Sequence, residues 1–236
     1  MYRKPALFLL AAGVVALSSA CGVFREPEQA SGPIEATPLV IETEAPGAAA
    51  ATTQGTISGV NVYTISQADS QVRFELDEDL RGERKTVVGV TDQVAGEIAL
   101  DLNDLSTIQV GVIQINARTL ATDSNLRNRA IQNEILDTGG FEFVTFAPNA
   151  VNGLPASIAI GEEVTFTIEG DLTIRDLTQP VVFEVVAQAV SADQLSGTAS
   201  AVINRADFNL NIPSVPNVAN VEEQVELYID FLANAS

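Results

Sequence analysis

The stretch "EVTFTIEGDLTI", residues 163–174, alternates apolar and polar side chains with period two. A strand changes face at every residue, so Val164, Phe166, Ile168, Gly170, Leu172 and Ile174 share one wall. Thr165, Thr167, Glu169, Asp171 and Thr173 share the other. Wound as a helix, the same residues would scatter around the axis and leave no apolar face. A chain made of such segments must bury one side of a sheet. What that side looks at, a second sheet, a helix or a bound molecule, decides what the protein does.

The pattern recurs. "QVRFEL" sets Val72, Phe74 and Leu76 on one face, and "GEIALDL" sets Ile98, Leu100 and Leu102 against Glu97, Ala99 and Asp101. "IQVGVIQI" is apolar on both faces and includes Val110 and Val112, while "FEFVTF" is short and aromatic, with Phe143 and Phe146. "PVVFEVVAQAV" carries Phe183 and Val185, and "LSGTASAVI" ends on Ile203. "VEEQVELYIDFL" places Val221, Val225, Leu227, Ile229 and Phe231 opposite Glu222, Gln224, Glu226 and Asp230. Turn signals separate these runs, which predicts about eight strands in a sandwich or barrel. Abundant β-branched residues with no Trp fit sheets better than helical bundles. One segment differs. "DSNLRNRAIQNEIL" brings Leu126, Ala130 or Ile131, and Ile135 to helical spacing, with Asp123 or Ser124 as N-cap, predicting a short helix over 124–136 that plugs or lines one end.

The chain holds no histidine, which excludes Ser-His-Asp and Cys-His catalysis, His-ligated metal and a histidine pH switch. Its single cysteine, Cys21, forms neither an intramolecular disulfide nor a thiolate cluster. A formal net charge of −19 makes nucleic acid a poor partner. The acidic group Asp77, Glu78, Asp79, Arg81, Glu83 and Arg84 reads as a solvated loop before a carboxylate pair for acid–base work. Asp101, Asn103 and Asp104 faintly resemble a calcium loop, but the glycine and closing glutamate of that motif are missing. Arg205 and Asp207 read as a structural ion pair or turn. The expectation is a protein without catalysis, metal or resident cofactor.

Residues 1–20 have the layout of a secretory signal: Arg3 and Lys4, an apolar run from Ala6 to Leu17, then small residues. Ser19-Ala20-Cys21 resembles a bacterial lipobox, although Ser18 stands where leucine is usual and the leucine is Leu17. That resemblance implies a lipidated Cys21 at the mature amino terminus, and an exported protein anchored in the cell envelope, facing the periplasm or the outer cell surface. Residues 21–58, rich in Pro, Ala, Thr, Gly and Glu, read as the lipidated cysteine followed by a flexible acidic linker. Residues 59–236 remain as one domain.

Within that domain, "INARTLATDSNLRNRAIQNEILDTGGFEFVTF" resembles the central segment of YceI-like, polyisoprenoid-binding domains. Gly170, Leu172, Thr173, Leu177, Thr178 and Pro180 are similar to that family's hairpin motif; Arg205, Asp207 and Phe208 resemble its "R-x-D-F" stretch, and Ser70, Val72 and Phe74 its opening strand. The resemblance runs from about Tyr63 to Leu232. It implies an all-β fold, an extended lipocalin-like antiparallel eight-stranded barrel with one short helix, whose apolar interior holds a long isoprenoid, isoprenoid quinone or other lipid. Two departures stand out: Asp69 replaces a histidine common before the first strand, and Asp176 replaces the hairpin glycine.

Small barrels either fill their interior with side chains or leave room for one ligand. The alternation fits both. The resemblance favours a cavity lined by Phe74, Leu76, Val110, Val112, Leu126, Ile131, Phe143, Phe146, Val164, Phe166, Ile168, Leu172, Phe183, Val185, Ile203, Leu227 and Phe231. Such a lining suits an uncharged chain, since burying an unpaired charge is costly. The expected partners are therefore an apolar lipid and a membrane reached through the amino-terminal anchor; the sequence also permits a homodimer. The competing reading is a surface structural or adhesive β-domain with a packed core.

Overall fold

The computed structural model describes residues 25–39 and 59–236. Its strands are β1 (Asn61–Ile65), β2 (Gln71–Leu80), β3 (Glu83–Thr91), β4 (Val94–Ala95), β5 (Glu97–Asp101), β6 (Asp104–Val110) and β7 (Ile113–Asn116). Helix α1 (Asn125–Ala130) follows. Then come β8 (Phe143–Asn152), β9 (Glu163–Ile174), β10 (Leu177–Ser191), β11 (Gln194–Asn204), β12 (Val218–Ala219) and β13 (Gln224–Ala235). Every pairing is antiparallel, and the fold is all-β apart from the helical segment.

The hydrogen-bonded path runs β4-β7-β8-β9-β10-β11-β13-β1-β5-β6, with β2 also on β13 and β3 on β2. β3 leads through Asp92 and Gln93 into β4, which pairs with β7, and Val90 bridges Ala121. The sheet thus curls back on itself into a barrel-like shell. Tight hairpins set its registers. Arg81 and Gly82 join β2 to β3, both at positive φ (56° and 87°), the conformation that lets a two-residue turn follow the strand twist.

The expected strand count of about eight is exceeded because β1, β3 and the two-residue β4 and β12 lie outside the alternating runs, and because one run is broken in two. That run is "IQVGVIQI". Gly111 N–H still bonds Glu97 O of β5 (2.8 Å), but past it the chain crosses to β8: β6 ends at Val110 and β7 starts at Ile113. The break reverses the phase: Val110 faces inward before it, Ile113 and Ile115 after it.

The predicted helix is present. Ser124 is its N-cap and accepts from Arg127 N, and α1 passes directly into one π-helical turn, Ile131–Ile135. Among the described residues no helix is long and apolar enough to cross a membrane.

Residues 25–39, read from sequence as part of a flexible linker, lie against the domain. Asn133 Nδ2 donates to Arg25 O (2.8 Å), Arg118 Nη1 to Gln29 O (3.0 Å) and Gln67 Nε2 to Ile34 O (2.6 Å). Ser31 N–H reaches Glu142 Oε1 and Leu39 N–H reaches Glu97 Oε2, both at 2.8 Å. Ile34 is buried. The prolines prevent regular structure but leave these backbone groups free to meet side chains of the domain. The signal segment, Cys21 and the remainder of the linker lie outside the described residues.

Candidate apolar binding cavity

Two spaces occupy the interior. The larger, about 800 Å³, opens beside α1. The smaller, about 100 Å³, lies at the other end of the barrel and has Gln188 as its one polar lining residue. The loop after β8 covers that far end: Leu105 N–H bonds Ala156 O (2.9 Å), Ile158 N–H bonds Leu102 O (3.0 Å), and Leu154 and Ile158 turn inward.

The opening alternation resolves in space. On β9, Val164, Phe166 and Ile168 line the small chamber, and Leu172 and Ile174 line the large one. Thr167 lies opposite Glu184 on the outer surface. Of the other expected lining residues, Val110, Val185 and Phe231 reach the small chamber. Phe74, Leu76, Ile131, Ile203 and Leu227 reach the large one. Phe146 and Phe183 touch both. Leu126 sits on the rim, 60% exposed.

Two inward assignments are corrected. Val112 lies in the break between β6 and β7 and is exposed, because the phase reversal at Gly111 carries it outside. Phe143 pairs with Asn116 on β8, one step out of phase with Val144 and Phe146, so it takes the outer face. Phe143 and Phe146 have opposite parity in "FEFVTF", so period two admits only one of them to the inner wall, and it is Phe146, with Val144. Sequence reasoning also missed Ile212, Pro213, Val215 and Pro216, which form the lip facing α1. They belong to a loop without periodicity, so no pattern could have found them.

Most charged groups near the cavity are paired. Glu78 falls on the inward parity of β2 and is buried, and Arg127 Nη2 meets its Oε1 at 2.7 Å. Arg127 also pairs with Asp123, as does Lys85, so two ion pairs, Arg127–Glu78 and Lys85–Asp123, tie α1 and the residue before its cap to the β2–β3 hairpin, and Arg127–Asp123 braces them locally. The hydrogen bond from Lys85, aided by Arg127, holds the Asp123 carboxyl below its usual range against the opposing effect of desolvation. Arg84 gathers Asp77, Asp79 and Glu222. Arg205 is buried and pairs with Glu223, not Asp207, while donating to the carbonyls of Leu210, Val221 and Glu222. In the β5–β6 turn, Asp101 accepts from Asn103, and Asp104 from Ser106. A mainly apolar vessel whose buried charges Glu78 and Arg205 are paired can hold a ligand by burial and shape.

The sequence model of the YceI-like domain matches residues 63–233. The chain belongs to the YceI-like family. Among curated proteins it is similar to a UPF0312 protein of Staphylococcus aureus (strain MSSA476), 24% identical over 159 residues that span 63% of this chain and 82% of that one. Two solved structures share the fold. One is a polyisoprenoid binding domain from Saccharophagus degradans implicated in plant cell wall breakdown, at TM-score 0.59 and 14% identity, covering 74% of this chain and 98% of that one. The other is BcnA from Burkholderia cenocepacia, at TM-score 0.57 and 16% identity, covering 72% and 99%. The YceI-like fold therefore carries the cavity described above.

Proposed function

We propose that this YceI-like protein is an exported, lipid-anchored binding protein that holds one long apolar chain, an isoprenoid or similar lipid, without performing chemistry on it. The observation that carries the reading is the cavity of about 800 Å³, open beside α1 and walled mainly by aliphatic and phenylalanine side chains. A packed structural domain has no use for such a space, since unfilled volume forfeits contacts. Burial of a chain there contributes ~0.8 kcal/mol per methylene, so a long tail binds without any strong polar contact. Fold kinship with the polyisoprenoid binding domain of Saccharophagus degradans points to the same class of ligand. Export and anchoring rest on the signal-like segment and Cys21.

The test is an organic extract of the purified protein analysed by mass spectrometry, followed by uptake of a prenol or an isoprenoid quinone by delipidated protein. Co-purification of a stoichiometric lipid, or saturable uptake, is expected. A stripped protein that folds yet takes up neither probe overturns the reading.

A further inference from the structure

The two chambers touch at a single level. Among the described residues only Phe146, Phe183 and Ile229 line both. They come from β8, β10 and β13, and their neighbours of like parity sort cleanly on either side. On β13, Phe231 lines the small chamber and Leu227 the large one. On β9, Ile168 and Leu172 divide in the same way about Gly170. The phenylalanine rings meet edge to face, with centroids 4.8 Å apart and planes at 66°, and both are buried. This is a favoured aromatic geometry, so the pair forms a fixed partition and not two loose side chains.

From this geometry we infer that Phe146 and Phe183 form an aromatic stop that sets the length of the apolar chain the protein accepts. The inference rests on the proposed binding function and adds its length selectivity. A tail entering beside α1 runs past Leu227 and Leu172 and ends against the ring pair. The apolar chamber beyond stays out of reach, because passage requires breaking the ring contact. Removing the Phe183 ring joins the chambers, adding the lost ring's space and the further 100 Å³ or so to the path of the tail.

The experiment loads delipidated full-length protein with an all-trans prenol series, from geranylgeraniol to decaprenol, and measures retention against chain length. Parent protein is expected to lose retention beyond a sharp length limit. Phe183→Ala should move that limit up by at least one isoprene unit. Phe183→Leu, which keeps more of the core volume, should give a smaller shift in the same direction. Ala199→Leu, which fills the small chamber, should erase the gain in the Phe183→Ala background. An unchanged limit in folded Phe183→Ala or Phe183→Leu, checked by circular dichroism, overturns the aromatic stop while leaving the binding function standing. Failure of parent protein to retain any prenol overturns both.

Discussion

The ring of Phe146 lies across Gly170: a methyl group at Gly170 would stand 2.6 Å from Phe146 Cζ and 2.5 Å from Ala147 O. Gly170 occupies the inward parity of β9, where its neighbours carry large side chains. Its missing side chain is the space in which one half of the aromatic partition is built. Gly170→Ala should therefore destabilise the protein by about 1–3 kcal/mol through overpacking, despite alanine's lower backbone entropy cost. Phe146→Leu in the same chain should recover part of that loss, as a double-mutant cycle of denaturant midpoints would read it. Additive effects would place the ring elsewhere.

Ile203 and Val202 are adjacent on β11, but the first is buried on the cavity wall and the second is 59% exposed. Ile203→Asp should abolish lipid uptake and lower the melting temperature, because an isolated carboxylate in an apolar wall costs several kcal/mol or is forced into its neutral form. Val202→Asp should stay within about 0.5 kcal/mol of the parent and bind normally. Similar behaviour of the two variants would contradict the inward assignment of β11.

Arg127 is the only ion-pair partner of buried Glu78 among the described residues. Arg127→Ala leaves that carboxylate uncompensated and should cost ~3 kcal/mol in chemical denaturation. Adding Glu78→Leu should restore most of it, since a matched apolar replacement removes the stranded charge. The double variant also loosens the tie between α1 and the β2–β3 hairpin, so faster release of bound lipid from it is expected.

Glu142 anchors residues 25–39. Burial pushes its carboxyl upward, but hydrogen bonds from Ser31 and Asn116 and the charge of Arg118 outweigh this and leave it below the usual 4.5. A depressed folded-state value means the stabilisation is fully present above the unfolded-state value and is lost as pH falls through the folded one. The protection factor of the Ser31 amide should therefore stay high at neutral pH and fall only as pH drops through the depressed Glu142 value, below the usual 4.5. Glu142→Gln should lower it at neutral pH as well. Equal protection in both proteins would mean that other contacts hold the segment.

Cys21→Ser should move the protein from the membrane to the soluble exported fraction, as fractionation of expressing cells would show. Unchanged membrane retention would remove lipidation from the proposed function.

The alternation in β2, β9, β10, β11 and β13 was readable because period two is a local property: each residue's face follows from its neighbours alone. The helix was readable for the same reason, through its spacing and the Ser124 cap. By itself the sequence therefore determined an all-β chain with one apolar wall, one short helix and no histidine chemistry. Tertiary structure decided what local pattern does not encode. Val112 lies outside because the chain passes there from pairing with β5 to pairing with β8, a change of partner between strands distant in sequence. Residues 25–39 are held by side chains distant in sequence, to which their own composition is blind. Whether the wall enclosed a packed core or a cavity depended on how far the sheet curls and where Phe146 meets Phe183, a volume summed over many strands. No single strand carries that sum, so only the folded barrel shows it.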